Sequence, residues 1–316
     1  MDLATTVTAW FDGHARDLPW RHPSAGPWGV LVSEVMLQQT PVSRVLPAWR
    51  DWLERWPDPA SLAADPPAEA IRAWGRLGYP RRALRLHACA VAIVERHGGA
   101  VPDDLSALLA LPGIGGYTAR AVAAFAFGQR QPVVDTNVRR LVARAVTGRA
   151  DAGPATTAAD LAAVDALLPV EGAQAEPGSG GAEHPQRRPG DRPAARASAA
   201  LMELGALVCT ARSPRCDDCP LWTVCAWRLA GSPPAQGPSR RPQAYAGTDR
   251  QVRGLLLAVL RDERTPVPVA RLDQVWPDAT QRSRALAGLV ADGLVVQAPG
   301  RRYALAGEQP GLASLG

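Results

Sequence analysis

Four cysteines, Cys209, Cys216, Cys219 and Cys225, fall within seventeen residues of a 316-residue chain whose fifth cysteine, Cys89, stands far away. This spacing, Cys-x6-Cys-x2-Cys-x5-Cys, constrains the fold more than any other feature. A backbone that gathers four thiols in so short a stretch curls around a metal centre, and no histidine lies nearby to serve as a mixed ligand. Four thiolates suit a [4Fe–4S] cluster or a structural Zn²⁺. A zinc ribbon pairs two Cys-x2-Cys knuckles across a longer gap, whereas one such pair is present here, so the spacing favours iron–sulfur. Two disulfides fit poorly, because a cytoplasmic chain is expected. The first twenty residues carry Asp2, Asp12 and Asp17 without an apolar run, and 18 consecutive apolar residues occur nowhere. Cys89, in an Ala/Val-rich helical stretch, reads as a small buried apolar residue.

With 47% hydrophobic residues the chain can bury a sizeable core. A net charge of +5 and a pI near 9.3 favour an anionic partner without specifying one. All 35 basic residues are arginine. Codon usage accounts for that bias, but its chemical consequence stands: no side chain carries an ε-amine.

From Trp10 to about Val170 the apolar residues recur at helical spacing, as in Val45, Trp49, Trp52, Leu53 and Trp56. Residues 171–197, rich in Pro, Gly and Ala and without period, read as a disordered insertion. Helical pattern resumes over Ser198–Val208 and leads into the cysteines. After a Pro/Ser/Gly linker over 230–248 the character changes. Helices are expected over Arg250–Asp262, Val269–Trp276 and Asp278–Asp292, the last with Asp278 as N-cap, followed by a hairpin in "GLVVQAPGRRYAL" turning at Pro299 and Gly300. The expected architecture is an all-α core over 1–229, a small winged-helix-like α+β domain over 249–307 and a tail over 308–316. Such a module either binds DNA through its third helix or serves as a packing and protein-contact unit.

Three short strings carry candidate chemistry. In "LPGIGGYTARA", Leu111–Ala121, Gly113 and Gly115 let backbone N–H groups approach a phosphate, and the helix starting near Tyr117 points its positive end the same way. In "VVDTNVRRL", Asp135 precedes a helix, the place of an N-cap. In "VLVSEVML", Glu34 is apolar-flanked, and burial there would raise its pKa unless an arginine pairs with it.

The cysteine spacing and the glycine hairpin together resemble the endonuclease III family of helix-hairpin-helix DNA glycosylases. Over roughly Trp10–Cys225 the chain further resembles its MutY-type adenine glycosylase branch, on "SEVMLQQTPVSRV" (Ser33–Val45) and "RDLPWR" (Arg16–Arg21). The resemblance implies one [4Fe–4S] cluster on Cys209, Cys216, Cys219 and Cys225, structural and DNA-binding in role, with Arg212 and Arg215 facing phosphate. It implies Glu34 as general acid, Asp135 as stabiliser of an oxocarbenium-like sugar with Asn137 beside it, and Tyr117 hydrogen-bonding near Glu34. Arg16, Leu18, Trp20 and Arg21 would line the base pocket, and Gln39, Thr40, Leu77, Gly78 and Tyr79 would contact the opposite guanine and fill the gap left by a flipped base. Relatives that cut the strand carry a lysine where Tyr117 stands, and its amine attacks C1′. A monofunctional hydrolase is therefore expected, a monomer acting in the cytoplasm at the nucleoid on double-stranded DNA with adenine opposite 8-oxoguanine or guanine.

Two rivals remain open: a thymine or uracil glycosylase on the same scaffold, and a catalytically silent DNA-binding iron–sulfur protein. Three departures from the family pattern are visible. Pro80 follows "RLGY" where a second Tyr is common in the family, Ser198 and Ala199 replace a polar pair, and the residues after the linker read as winged-helix where a Nudix-like domain is common.

Overall fold

The computed structural model describes residues 2–170, 190, 192–235 and 245–308. Much of the expected 171–197 insertion, the middle of the 230–248 linker and most of the tail lie outside the described residues. Among the described residues, fifteen α-helices precede or flank three short strands. In chain order the helices are α1 (Leu3–His14), α2 (Gly26–Leu37), α3 (Val42–Arg55), α4 (Pro59–Ala64), α5 (Pro67–Trp74), α6 (Arg81–His97), α7 (Leu105–Leu109) and α8 (Gly116–Phe127). They continue with α9 (Thr136–Ala145), α10 (Ala158–Asp165), α11 (Pro193–Leu207), α12 (Ala226–Leu229), α13 (Asp249–Asp262), α14 (Val269–Leu272) and α15 (Ala279–Ala291). The strands are β1 (Val267–Pro268), β2 (Val295–Ala298) and β3 (Arg302–Leu305). No helix among the described residues is long and apolar enough to cross a membrane.

Local chemistry sets many of the helix starts. Asp58, Asp104, Asp135, Thr157 and Asp278 each accept a backbone N–H from the first turn they precede, satisfying a donor the helix itself cannot. Helix α11 begins at Pro193, five residues before the expected Ser198. Proline suits the first helical position, where its missing N–H costs nothing, and Ala194, Ala195 and Ala197 are buried. The Pro/Ala composition that reads as loop in the sequence is thus partly a helix start.

The chain divides into two compact units that alternate in sequence. The first comprises Met1–Glu34, Pro102–Ala110 and Ile114–Pro238. Its core joins α1, α9 and α11 through Val7, Phe11, Val138, Leu141, Leu201 and Leu204, a set whose apolar spacing was legible in the sequence.

The second unit comprises Val35–Val101, Leu111–Gly113 and Ser239–Gly316. Helices α3 to α6 surround three tryptophans, with Trp52 edge-on to Trp56 at 4.6 Å and to Trp74 at 5.8 Å between ring centroids, a geometry that aromatic quadrupoles favour. The C-terminal module has the expected three helices and hairpin. In addition β1 pairs with β3, giving an antiparallel sheet of order β1-β3-β2. Two residues, one of them Pro268, are too short a strand to show any period.

Within this unit the module packs against α5. Arg261 donates from Nε to the Ile71 carbonyl at 3.0 Å, Arg72 pairs with Glu308 and donates to the Glu263 carbonyl, and Arg264 pairs with Glu69. On the third helix of the module, Arg282 pairs with Asp273 at 2.9 Å and Arg284 with Asp249 at 2.7 Å. Of the two roles left open for the module, packing is therefore realised here.

Candidate active site

Glu34 lies in the last third of α2, between buried Ser33 and Val35, and is 5% exposed. The Ser33 hydroxyl turns back to the Val30 carbonyl at 2.7 Å, leaving Glu34 without a polar neighbour on its own helix. Its partner comes from α8, where the half-buried Tyr117 hydrogen-bonds the carboxyl. Burial pushes the Glu34 pKa up to about 7. The Tyr117 hydrogen bond opposes this, Asp135 adds to it by like-charge repulsion, and the Arg21 guanidinium pulls it back. Glu34 is thus an acid poised to hold a proton at neutral pH. The Tyr117 hydroxyl, shielded from water beside two carboxylates, is held well above the usual phenol range and stays neutral.

Asp135 is the N-cap of α9, as its position before a helix suggested, and more than that. Its Oδ1 accepts the Val138 N–H at 2.7 Å and its Oδ2 accepts the Asn137 side-chain amide at 2.8 Å. Burial raises its pKa, while these donors and the Arg140 charge favour the anion. Asn137 is in turn held by Arg140, which donates from Nη2 to Asn137 Oδ1 at 2.9 Å and to the Gly205 carbonyl at 2.7 Å, and from Nε to the Cys209 carbonyl at 2.7 Å. A continuous hydrogen-bonded path therefore runs from the backbone of the cysteine loop to Asp135. The path needs α11 close to α9, and a Cβ on Gly205 would lie 2.7 Å from the Asn137 carbonyl oxygen. Arg140 was not singled out in the sequence, where it is one arginine among thirty-five.

The segment Arg16–Arg21 is anchored by a residue that sequence reasoning also missed. Glu203, on α11 and 1% exposed on its side chain, binds both Arg16 and Arg21. Leu18 and Trp20 between them are buried. The signal was there to read: "LMELGAL" sets one acid in an apolar helix, as "VLVSEVML" does for Glu34. Ser198, in the place of the family's polar pair, is buried with its hydroxyl on the Gln131 carbonyl at 3.4 Å.

The four cysteines line one pocket in the first unit, together with Arg144, Arg228, Trp222 and Trp227. Arg144 donates from Nη1 to Cys209 Sγ at 3.5 Å and to the Thr210 carbonyl at 2.7 Å, placing a fixed cation beside the sulfurs. Among the described residues no three His, Cys, Asp or Glu side chains are close enough to share one metal ion. Four cysteines without a histidine among them, beside a fixed Arg144 cation that offsets thiolate charge, suit a [4Fe–4S] cluster. On the loop, Arg212 and Arg215 are both exposed, and Arg215 also donates to the Leu207 carbonyl at 2.7 Å.

At the hairpin, α8 starts at Gly116 with Gly115 as N-cap and no side-chain cap; the space around the Gly115 Cα is open. Gly113 meets a further constraint. Its φ is +77° and an added Cβ would lie 2.6 Å from Arg85 Cβ, so glycine there allows a tight internal contact.

In the second unit the "QQT" and "RLGY" loops adjoin, with the Thr40 hydroxyl donating to the Leu77 carbonyl at 3.5 Å. Gln39 and Tyr79 both have positive φ, 57° and 47°, a backbone state that non-glycine residues rarely adopt outside functional loops. Tyr79 is 56% exposed with the Arg82 guanidinium over its ring, whereas Leu77 is packed inside at 6%.

Comparison with known proteins identifies the family of this scaffold. Residues 32–164 match the HhH-GPD superfamily of base excision DNA repair proteins, and residues 209–225 match the iron–sulfur binding domain of endonuclease III. The chain is 56% identical over 306 residues to an adenine DNA glycosylase of Mycobacterium tuberculosis, covering 96% of this chain and 93% of that one. It is 58% identical over 303 residues to the adenine DNA glycosylase of Mycolicibacterium smegmatis, covering 96% and 95%. The human adenine DNA glycosylase is 37% identical over 231 residues, 71% of this chain and 39% of that one. Among solved structures, a thermostable thymine-DNA glycosylase shares the fold with a TM-score of 0.59 at 24% identity, covering 72% of this chain and 95% of that one. With near-complete coverage at such identity, the buried glutamate, capped aspartate and cysteine loop stand on a known scaffold, and the chain belongs to the adenine DNA glycosylase family.

Proposed function

We propose that this chain excises adenine mispaired with 8-oxoguanine or guanine in double-stranded DNA, by hydrolysis and without strand cleavage. The observation that carries the reading is the Glu34 carboxyl, buried, bonded by Tyr117 and facing Asp135. Protonated Glu34 donates its proton to N7 of the flipped adenine. The C1′–N9 bond then breaks, its electron pair leaving with the purine and its positive charge spreading over C1′ and the ring oxygen of the sugar. Asp135, its carboxylate fixed by Val138 and Asn137, stabilises that charge electrostatically. Water adds to C1′, and the proton it loses returns to Glu34, which restores the acid.

Tyr117 has no nucleophilic amine, and the chain has no lysine to replace it; this supports base removal without a Schiff base. Arg16, Leu18, Trp20 and Arg21 are proposed to line the base pocket. Gln39, Thr40, Gly78 and Tyr79 are proposed to meet the opposite strand, with the exposed Tyr79 as wedge and the packed Leu77 supporting it from behind. Cys209, Cys216, Cys219 and Cys225 would hold the [4Fe–4S] cluster, which would supply a structural centre for the loop presenting the exposed Arg212 and Arg215 to phosphate. Gly115 and the uncapped start of α8 are proposed to bind a phosphate of the same strand. A monomer acting at the nucleoid in the cytoplasm completes the reading.

The test is release of free base from otherwise identical duplexes carrying A opposite 8-oxoguanine, A opposite guanine, or T opposite guanine. Adenine release from the first two, with an intact strand until alkali treatment, is expected. Release of thymine and not of adenine would overturn the assignment.

A further inference from the structure

Glu203 is a fully buried carboxylate in the interior of α11, a place where a charge is costly unless every lone pair is engaged. Here both oxygens are engaged. Oε1 accepts the Arg16 backbone N–H at 2.9 Å and its Nε at 2.8 Å, while Oε2 accepts Arg16 Nη2 at 2.8 Å and Arg21 Nη2 at 2.9 Å. Three of the four donors are side-chain groups of the arginines that begin and end "RDLPWR", and the fourth is backbone of the same segment. Arg21 is held further by Nη1 on the Arg16 carbonyl at 3.2 Å and by stacking over Phe11 at 5.3 Å. Burial works against ionised Glu203, yet the two arginines hold its pKa down at about 2.

Arg21 is also the cation that acts on Glu34. The groups facing Glu34 are Tyr117 from α8, Asp135 from the start of α9 and Arg21 from the turn after α1. Behind Asp135 stand Asn137 and Arg140, and behind Arg21 stand Glu203 and Arg16. We propose that Glu203 is a positioning residue of the excision reaction: it fixes Arg16 and Arg21 along the base-pocket segment and neutralises the charge that Arg21 exerts on Glu34. Without that counter-charge a free guanidinium would favour Glu34 as the anion, which has no proton to give the leaving base. The proposal rests on the reading of Glu34 as the acid.

The experiment is the pH profile of the single-turnover rate of adenine release, measured on the cluster-loaded protein with an A opposite 8-oxoguanine duplex. Wild type, Glu203→Gln, Glu203→Asp, Arg21→Gln and Glu34→Gln are compared. Glu203→Gln is expected to move the alkaline limb to lower pH by about half a unit or more, to slow release at pH 7 and to leave the duplex Kd nearly unchanged. Arg21→Gln, which removes the cation itself at a partly exposed site, is expected to move the limb the opposite way, and Glu203→Asp to restore it in part. Uniformly slower release with an unmoved limb in both Glu203→Gln and Arg21→Gln would overturn the proposal, as a merely structural role predicts that result. Should Glu203→Gln fail to fold, the sign of the Arg21→Gln shift decides. If Glu34→Gln still releases adenine, the assignment of the acid fails instead.

Discussion

Glu34 and Glu203 are two buried glutamates given opposite charge states by what surrounds them. One is shielded from water beside a hydroxyl and a second carboxylate, so it holds its proton to about pH 7; the other is saturated by guanidinium donors and stays ionised down to about pH 2. Environments that split a pair of like groups in this way mark acid and anchor roles. The consequence for stability follows from linkage. The folded-state pKa of Glu34 lies above its unfolded value of 4.5, so the stability that the protonated form contributes is complete below pH 4.5 and is lost as pH rises through about 7. Glu34→Gln removes that penalty, and the variant is expected to be more stable than wild type at pH 8, by on the order of 2–3 kcal/mol, with the difference vanishing near pH 4. Thermal or urea unfolding at the two pH values checks this. Glu34 was legible in the sequence because an apolar string surrounded it. Glu203 sits in a similar apolar string, but its partners Arg16 and Arg21 lie far off in sequence, as do the Gly205 and Cys209 carbonyls that hold Arg140, and only folding brings them together.

Among the elements, the glycine hairpin was the most legible and also the most instructive. The sequence suggested that both Gly113 and Gly115 open the backbone to an outside phosphate. Both are exposed, but an added Cβ would meet open space at Gly115 and Arg85 at Gly113, where φ is left-handed. Gly113→Ala is therefore expected to destabilise the fold by about 1–3 kcal/mol or more, and Gly115→Ala by far less. Duplex affinity separates them again, because Gly115→Ala crowds the uncapped start of α8. Equal unfolding midpoints for the two variants would contradict this division. The helices announced themselves by period and by acidic caps. Where composition misled, at Pro193, the reason was local: proline and alanine read as loop on average, but at a helix start proline is well placed.

At the scale of the whole molecule, the C-terminal module is where the sequence said least about role. Its helices and hairpin were readable; its use was not, because that depends on which surface it covers. It covers α5, whose Arg72 side chain is 8% exposed and paired with Glu308. Since α5 runs directly into the loop that carries Leu77 and Tyr79, deletion of residues 239–316 is expected to lower the melting temperature by several degrees and to loosen that loop. An unchanged melting temperature would contradict a buttressing role. Central to this reading, a single buried acid expels the base in a chain that has no lysine nucleophile. Single-turnover release of free adenine from an A opposite 8-oxoguanine duplex, wild type against Glu34→Gln, tests it most directly. Wild type is expected to release adenine with the strand intact, and the variant to bind the duplex and release adenine at least about 100-fold more slowly. Comparable release by Glu34→Gln would contradict it.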